Sequence, residues 1–244
     1  MAGTTSSDVT VPRARSVGML LGIIIVLVLT NLVAHFTGRW TGMLAVPVAA
    51  VALVAATRVM GLQWREMGLS RAELRAGVRY AVAAVVIVFA VVSVAVAIPA
   101  TRQFFLSDRY DSAAEATLAA LVVIPLQTVL PEELLFRGVL QGALGRLFGV
   151  RATLGLGALA FGLWHVSSSL GLTSGNEGLS GILGSGTLAQ IAGILGAVVA
   201  TSFAGLILGW LRYRTTSLLA PVALHWSLNA IGAIGAAVAW HLPS

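Results

Sequence analysis

Two adjacent carboxylates and a guanidinium, Glu132, Glu133 and Arg137, follow a largely apolar segment, 116–130. A charge at bilayer depth costs roughly 2.5–3.5 kcal/mol on insertion scales, so such groups are found there with partners or with a task. The other ionisable side chains deep inside apolar runs are His165 and His225. Glu133 and Arg137 stand i,i+4, so they share a helix face and can neutralise each other. Glu132 is turned about 100° from Glu133, which leaves one acid for Arg137 and the other free to face the interior. Phe161 and His165 are also i,i+4, so the ring can pack over the imidazole and set its orientation. His225 and Asn229 repeat the spacing one turn after Pro221. Each group has a purely structural reading as well. The acids and Arg137 form a buried ion network, and a lone His or Asn ties one helix to another.

Taken together they suit hydrolysis. A carboxylate and an imidazole around a shielded water make a general-base arrangement. The water attacks a peptide carbonyl while donors from His225 and Asn229 steady the developing oxyanion. Glu132, His165 and His225 could instead ligate Zn2+. A His-Glu-x-x-His helix is absent, however, and the chain has no Cys, so no metal or other cofactor is favoured. Trp164 and Trp226 each adjoin a motif histidine and can exclude water or line a pocket, with packing against lipid as the alternative.

The elements that must position these groups are membrane helices. Of 244 residues, 58% are hydrophobic and 10% charged, and mean hydropathy is +0.95. A soluble domain carries about 25% charged residues, so the composition implies an all-α, polytopic membrane helical bundle. A polar tail, 1–16, reads as disordered. Residues 17–244 read as a single transmembrane domain with spans at about 17–36, 41–60, 77–99, 113–144, 152–170, 188–211 and 217–242. Each approaches the roughly 20 residues that a ~30 Å hydrocarbon core requires. At 1.5 Å per residue, Glu132 and His165 fall within a turn or two of their span centres. Ser70 and Glu73 fit a capping box, opening a helix expected to lie along the interface before entering the third span. The Gly- and Ser-rich stretch 171–187 reads as a connector, with a lid as the alternative.

The formal charge of +6 comes from arginine alone. With the N-terminus cytoplasmic, eleven arginines fall on inside segments and only Arg39, Arg102 and Arg109 outside. The positive-inside rule accounts for that asymmetry better than nucleic acid does. No paired inverted repeat supports a transporter.

Glu132-Glu133-x-x-x-Arg137, Phe161-x-x-x-His165 and His225-x-x-x-Asn229, in this order on successive apolar helices, resemble the three motifs of the CPBP family. These are the CAAX-protease and bacteriocin-processing (Abi) intramembrane peptidases, which include the type II CAAX prenyl endopeptidase. The resemblance covers about 113–240. It implies an intramembrane endopeptidase in which Glu132 activates water with His165. Glu133 and Arg137 support that acid, Phe161 belongs to the second motif, and His225 with Asn229 forms the oxyanion site. Some members have eight spans where seven are counted here. The expected partners are a peptide or protein substrate at the membrane and the lipid bilayer, and the expected place is a bacterial plasma membrane. The alternative is a non-catalytic member acting as a bacteriocin-immunity factor or membrane scaffold. Substrate and oligomeric state are not legible.

Overall fold

The computed structural model describes residues 13–106, 110–170 and 181–242. Among these there is no β-strand. Six helices are long and apolar enough to cross a membrane: α1 (Arg13–Phe36), α2 (Arg39–Val59), α3 (Arg71–Ala97), α4 (Ala113–Leu147), α6 (Thr187–Thr215) and α7 (Leu219–His241). A seventh, α5 (Val150–Trp164), is apolar but shorter. The chain is a polytopic membrane helical bundle, and its packing runs opposite to that of a soluble protein. Large apolar side chains such as Val86, Ile87, Phe89 and Val91 of α3 point outward, while Ala233, Ala236 and Ala237 of α7 are buried. Lipid is as apolar as leucine, so helices associate through small residues that let backbones approach.

α4 runs through the middle of the bundle. Pro125 and Pro131 each withdraw an amide donor and crowd the preceding turn. The helix widens to π geometry over Ala119–Val129 and Leu134–Leu140, with a short α-helical piece, Leu130–Glu133, between. Such local widening is frequent where a helix carries function. From Leu135 to Leu144 the helix is almost wholly buried, packed with Met19, Ile23 and Leu27 of α1 and Leu53 of α2.

One end of the bundle is closed by the connector 60–70. Leu62 and Met67 are fully buried. Arg146 at the end of α4 grips the Glu66 carboxylate at 2.6 Å and donates to Gly61 O at 2.7 Å. Arg212 near the end of α6 donates to the carbonyls of Arg65 at 3.1 Å and Glu66 at 2.9 Å. Leu218 N donates to Gly68 O at 3.0 Å. Gly68 sits at φ +72, and a Cβ there would overlap the Arg212 guanidinium, so this position excludes side chains twice over.

Several sequence expectations need correction. Residues 13–16 already form the first turn of α1; residues 1–12 of the expected tail lie outside the described residues. Ser70 precedes α3 but makes no side-chain capping bond. Glu73 turns instead to Arg65 at 3.3 Å, because an ion pair competes for the carboxylate that a capping box would use. α3 starts at Arg71 and runs without a break into the expected third span, as one element. α5 ends at Trp164, six residues short of the expected span. Most of the connector expected at 171–187 (residues 171–180) lies outside the described residues.

Candidate active site

Fifteen residues give α5 a length of about 22 Å at 1.5 Å per residue, short of a ~30 Å hydrocarbon core. Its C-terminal cap is His165. The histidine therefore sits where the helix stops, not near the centre of a span. A short 3-10 turn follows (Ser167–Ser169), and the space beyond the helix end forms part of a cavity of about 790 Å3. Asn31 of α1 latches this end. Its Nδ2 donates to Trp164 O at 2.8 Å, and its Oδ1 accepts from Ser167 Oγ at 2.8 Å.

Glu132, His165 and Asn229 all contribute to the cavity wall, from three different helices. Glu132 is held by the indole of Trp164, whose Nε1 donates to Oε1 at 3.1 Å. The second oxygen, Oε2, is buried and has no hydrogen-bond partner among the described residues. It lies 3.9 Å from Nε2 of His225. His165 Nδ1 lies 2.8 Å from Phe161 O. A carbonyl only accepts, so Nδ1 carries the hydrogen, and in the neutral ring Nε2 is left as an acceptor.

Glu133 faces the other way and is completely buried. Its Oε1 accepts from Arg137 Nη1 at 3.0 Å and from His225 Nδ1 at 2.8 Å. Arg137 donates further to Gly205 O on α6 at 3.4 Å. Its guanidinium carbon stands 3.9 Å from the centroid of Phe161. A carboxylate paired with Arg is ionised, so the hydrogen shared with His225 sits on Nδ1. His225 thus bridges the two acids, bonded to Glu133 and facing Glu132.

Aromatic rings close the floor. Phe136 meets Phe161 edge to face at 5.1 Å and Trp164 at 5.4 Å. Phe161 meets His165 at 4.7 Å and His225 at 5.8 Å, again edge to face. One ring therefore touches both histidines and the arginine, a role for Phe161 wider than the i,i+4 spacing alone implied. A Cβ on Gly205 would come within 3.2 Å of Phe161 Cβ, so α6 approaches closely enough for its backbone to reach Arg137.

Of the residues singled out from sequence, Glu132, His165 and Asn229 share the cavity. His225 reaches them only through Glu132, while Glu133 and Arg137 stand behind it. The Trp164 bond to Glu132 and the Asn31 latch were missed. A tryptophan beside a motif histidine carries the only hint of the first. An Asn in the first span is the hint of the second. Trp226 donates to Ala120 O at 2.9 Å, tying α7 to α4. Among the described residues no three His, Asp or Glu side chains are grouped to hold a metal ion.

Residues 114–231, which contain every motif side chain, match the family model described as type II CAAX prenyl endopeptidase Rce1-like. No curated protein and no solved structure matches the chain.

Proposed function

From the premise that residues 114–231 belong to the type II CAAX prenyl endopeptidase Rce1-like family, a family of membrane proteases, we propose that this chain is an endopeptidase whose base is Glu132. The observation that carries the reading is Glu132 itself. Its carboxylate is fixed by one oxygen, unpartnered at the other among the described residues, and part of the same cavity wall as His165 and Asn229. A buried acceptor without a partner is costly, and a reaction that delivers a proton to it gives that cost a use.

In the proposed reaction a water between Glu132 and His165 gives one proton to the carboxylate as its oxygen attacks the scissile carbonyl carbon. His165 Nε2 accepts a hydrogen bond from that water and aims it. The carbonyl oxygen becomes an oxyanion, met by the Asn229 amide that lines the cavity. The tetrahedral centre collapses, the C–N bond breaks, and Glu132 returns its proton to the leaving amine. Glu133 and Arg137 do not touch substrate in this scheme; they hold His225 through its Nδ1, with the other face of the ring toward Glu132. Every proton movement is assigned to side chains of the chain itself.

The test is cleavage of a membrane-anchored peptide by purified protein in bilayers, comparing wild type with Glu132→Gln. The amide keeps the shape and can still accept from Trp164, but cannot take the proton. Loss of turnover with an unchanged melting temperature supports the assignment. Wild-type turnover in that variant removes it.

A further inference from the structure

The two ends of the bundle differ in charge and in what they open onto. At one end lie Arg13 and Arg15 of α1, Arg58 of α2, Arg65 of the connector, and Arg71, Arg75 and Arg79 of α3. Arg146 and Arg151 join them beside the α4–α5 turn, with Arg212 and Arg214 of α6. The bonds from Arg146 to Glu66, from Arg212 to Arg65 O and from Leu218 to Gly68 O bring these segments together. At the opposite end the described residues include only Arg39 and Arg102.

The cavity belongs to the arginine-poor end. Thr37 and Gly38 from the α1–α2 turn, Phe105 and Tyr110 from beyond α3, and Ser168 from beyond α5 form its outer wall. No residue of the connector or of the arginine-rich turns contributes to it. Toward the arginine-rich side the floor is shut. Behind Glu132 come the Glu133–Arg137–His225 cluster and then Leu135, Val139, Ala143 and Leu144, all buried. A separate pocket of about 350 Å3 opens at the arginine-rich end beside Gln141, Gly142 and Arg146, and none of the residues lining it also lines the cavity that holds Glu132.

Arginine in short loops and at helix ends is retained on the cytoplasmic side. We therefore propose that the site is entered from the face opposite the cytoplasm. Its substrate class is then a peptide bond at or near the outer end of a membrane-anchored or exported chain. This rests on the peptidase reading and extends it. A segment exposed only on the cytoplasmic side meets the sealed, arginine-rich end and does not reach Glu132. Phe104, Phe105 and Tyr110 at the mouth are aromatic side chains of the kind that settle at a membrane–water interface.

The chain has no cysteine, so single substitutions report sidedness without background. Thr37→Cys and Ser168→Cys mark the mouth, and Gln63→Cys and Arg71→Cys mark the sealed end; all four side chains are exposed. Intact cells making the full chain are treated with a charged, membrane-impermeant maleimide, before and after permeabilisation. Labelling of the mouth positions in intact cells, with the other pair silent until permeabilisation, is the expected result. The reverse pattern overturns the proposal whatever the activity. A second arm uses two single-span reporters with the cleavable segment at the outer or the cytoplasmic end, each with wild type and with Glu132→Gln. Glu132-dependent cutting of the outer reporter alone is expected. Cutting of the cytoplasmic one overturns the substrate class. Outward labelling with neither reporter cut counts against the peptidase reading, and against the substrate class with it, while the sidedness stands.

Discussion

The indole of Trp164 and the carboxylate of Glu132 are joined by one hydrogen bond of 3.1 Å, made across the interface of α5 and α4. Trp164 neighbours His165 in the chain, so one turn of α5 both supplies an imidazole and orients the acid opposite it. Trp164→Phe keeps an aromatic ring against Phe136 and removes only the donor. A hydrogen bond to a charged group is worth about 1.5–3 kcal/mol, so kcat should fall about 10- to 100-fold. KM should barely move, because the residue acts through Glu132 and not on substrate, while the melting temperature should fall by a few degrees as the buried Glu132 oxygen loses its donor. An equal rise in KM with kcat intact would assign the indole to substrate binding instead.

The Glu133–Arg137 pair should behave as a unit. Removing one member of a buried pair costs about 3–5 kcal/mol, whereas replacing both with apolar residues can be neutral. Arg137→Met alone should therefore fold poorly. Glu133→Leu with Arg137→Met should recover much of the melting temperature in detergent. It should not recover turnover, since His225 loses the acceptor that fixes Nδ1. A double variant with normal activity would make the cluster a packing device only.

Both outcomes bear on what can be read from a sequence. The i,i+4 spacings of Glu133 with Arg137 and of Phe161 with His165 survive in the structure because they are local geometry, and the apolar runs of α1, α2 and α3 mark helices for the same reason. The 100° turn between the two acids likewise put them on different partners. What was not legible depends on contacts between helices. Past Trp164 the chain turns polar at Ser167-Ser168-Ser169, but serine is common in membrane helices, so that run alone does not show that α5 stops at His165. That stop is latched by Asn31, more than 130 residues away in sequence. Ser70 and Glu73 have the pattern of a cap, but Arg65 takes the carboxylate.

Close approach of α5 and α6 makes a glycine indispensable. A Cβ on Gly162 would overlap Ser202 Oγ and lie 2.7 Å from Val198 O, a backbone atom that cannot rotate away. Gly157, on the same helix, has nothing within 4 Å of such a Cβ. Gly162→Ala should cost about 1–3 kcal/mol through overpacking and reduce turnover, since Phe161 and His165 move with the helix. Gly157→Ala should be neutral or slightly stabilising. Comparing the two melting curves in the same detergent checks this, and equal effects would count against the close contact.

Stability at acid pH should depend on a group far from the catalytic cavity. Burial pushes the Glu66 carboxyl upward. The bond from Arg146, the Gln63 amide and the charges of Arg146 and Arg58 outweigh that and hold it below its ordinary value of 4.5. A carboxyl depressed in the folded state binds fewer protons there than in the unfolded chain. Its contribution is complete above the ordinary value and is lost as pH falls through the lower, folded one. Glu66→Gln should therefore lower the melting temperature at neutral pH, and the gap from wild type should close as pH falls below the ordinary value of 4.5 and through the lower, folded one. Because this ion pair fastens the connector to α4 at the arginine-rich end, acid should loosen that end first. A constant gap across the whole pH range would show that Glu66 contributes through shape and not through charge.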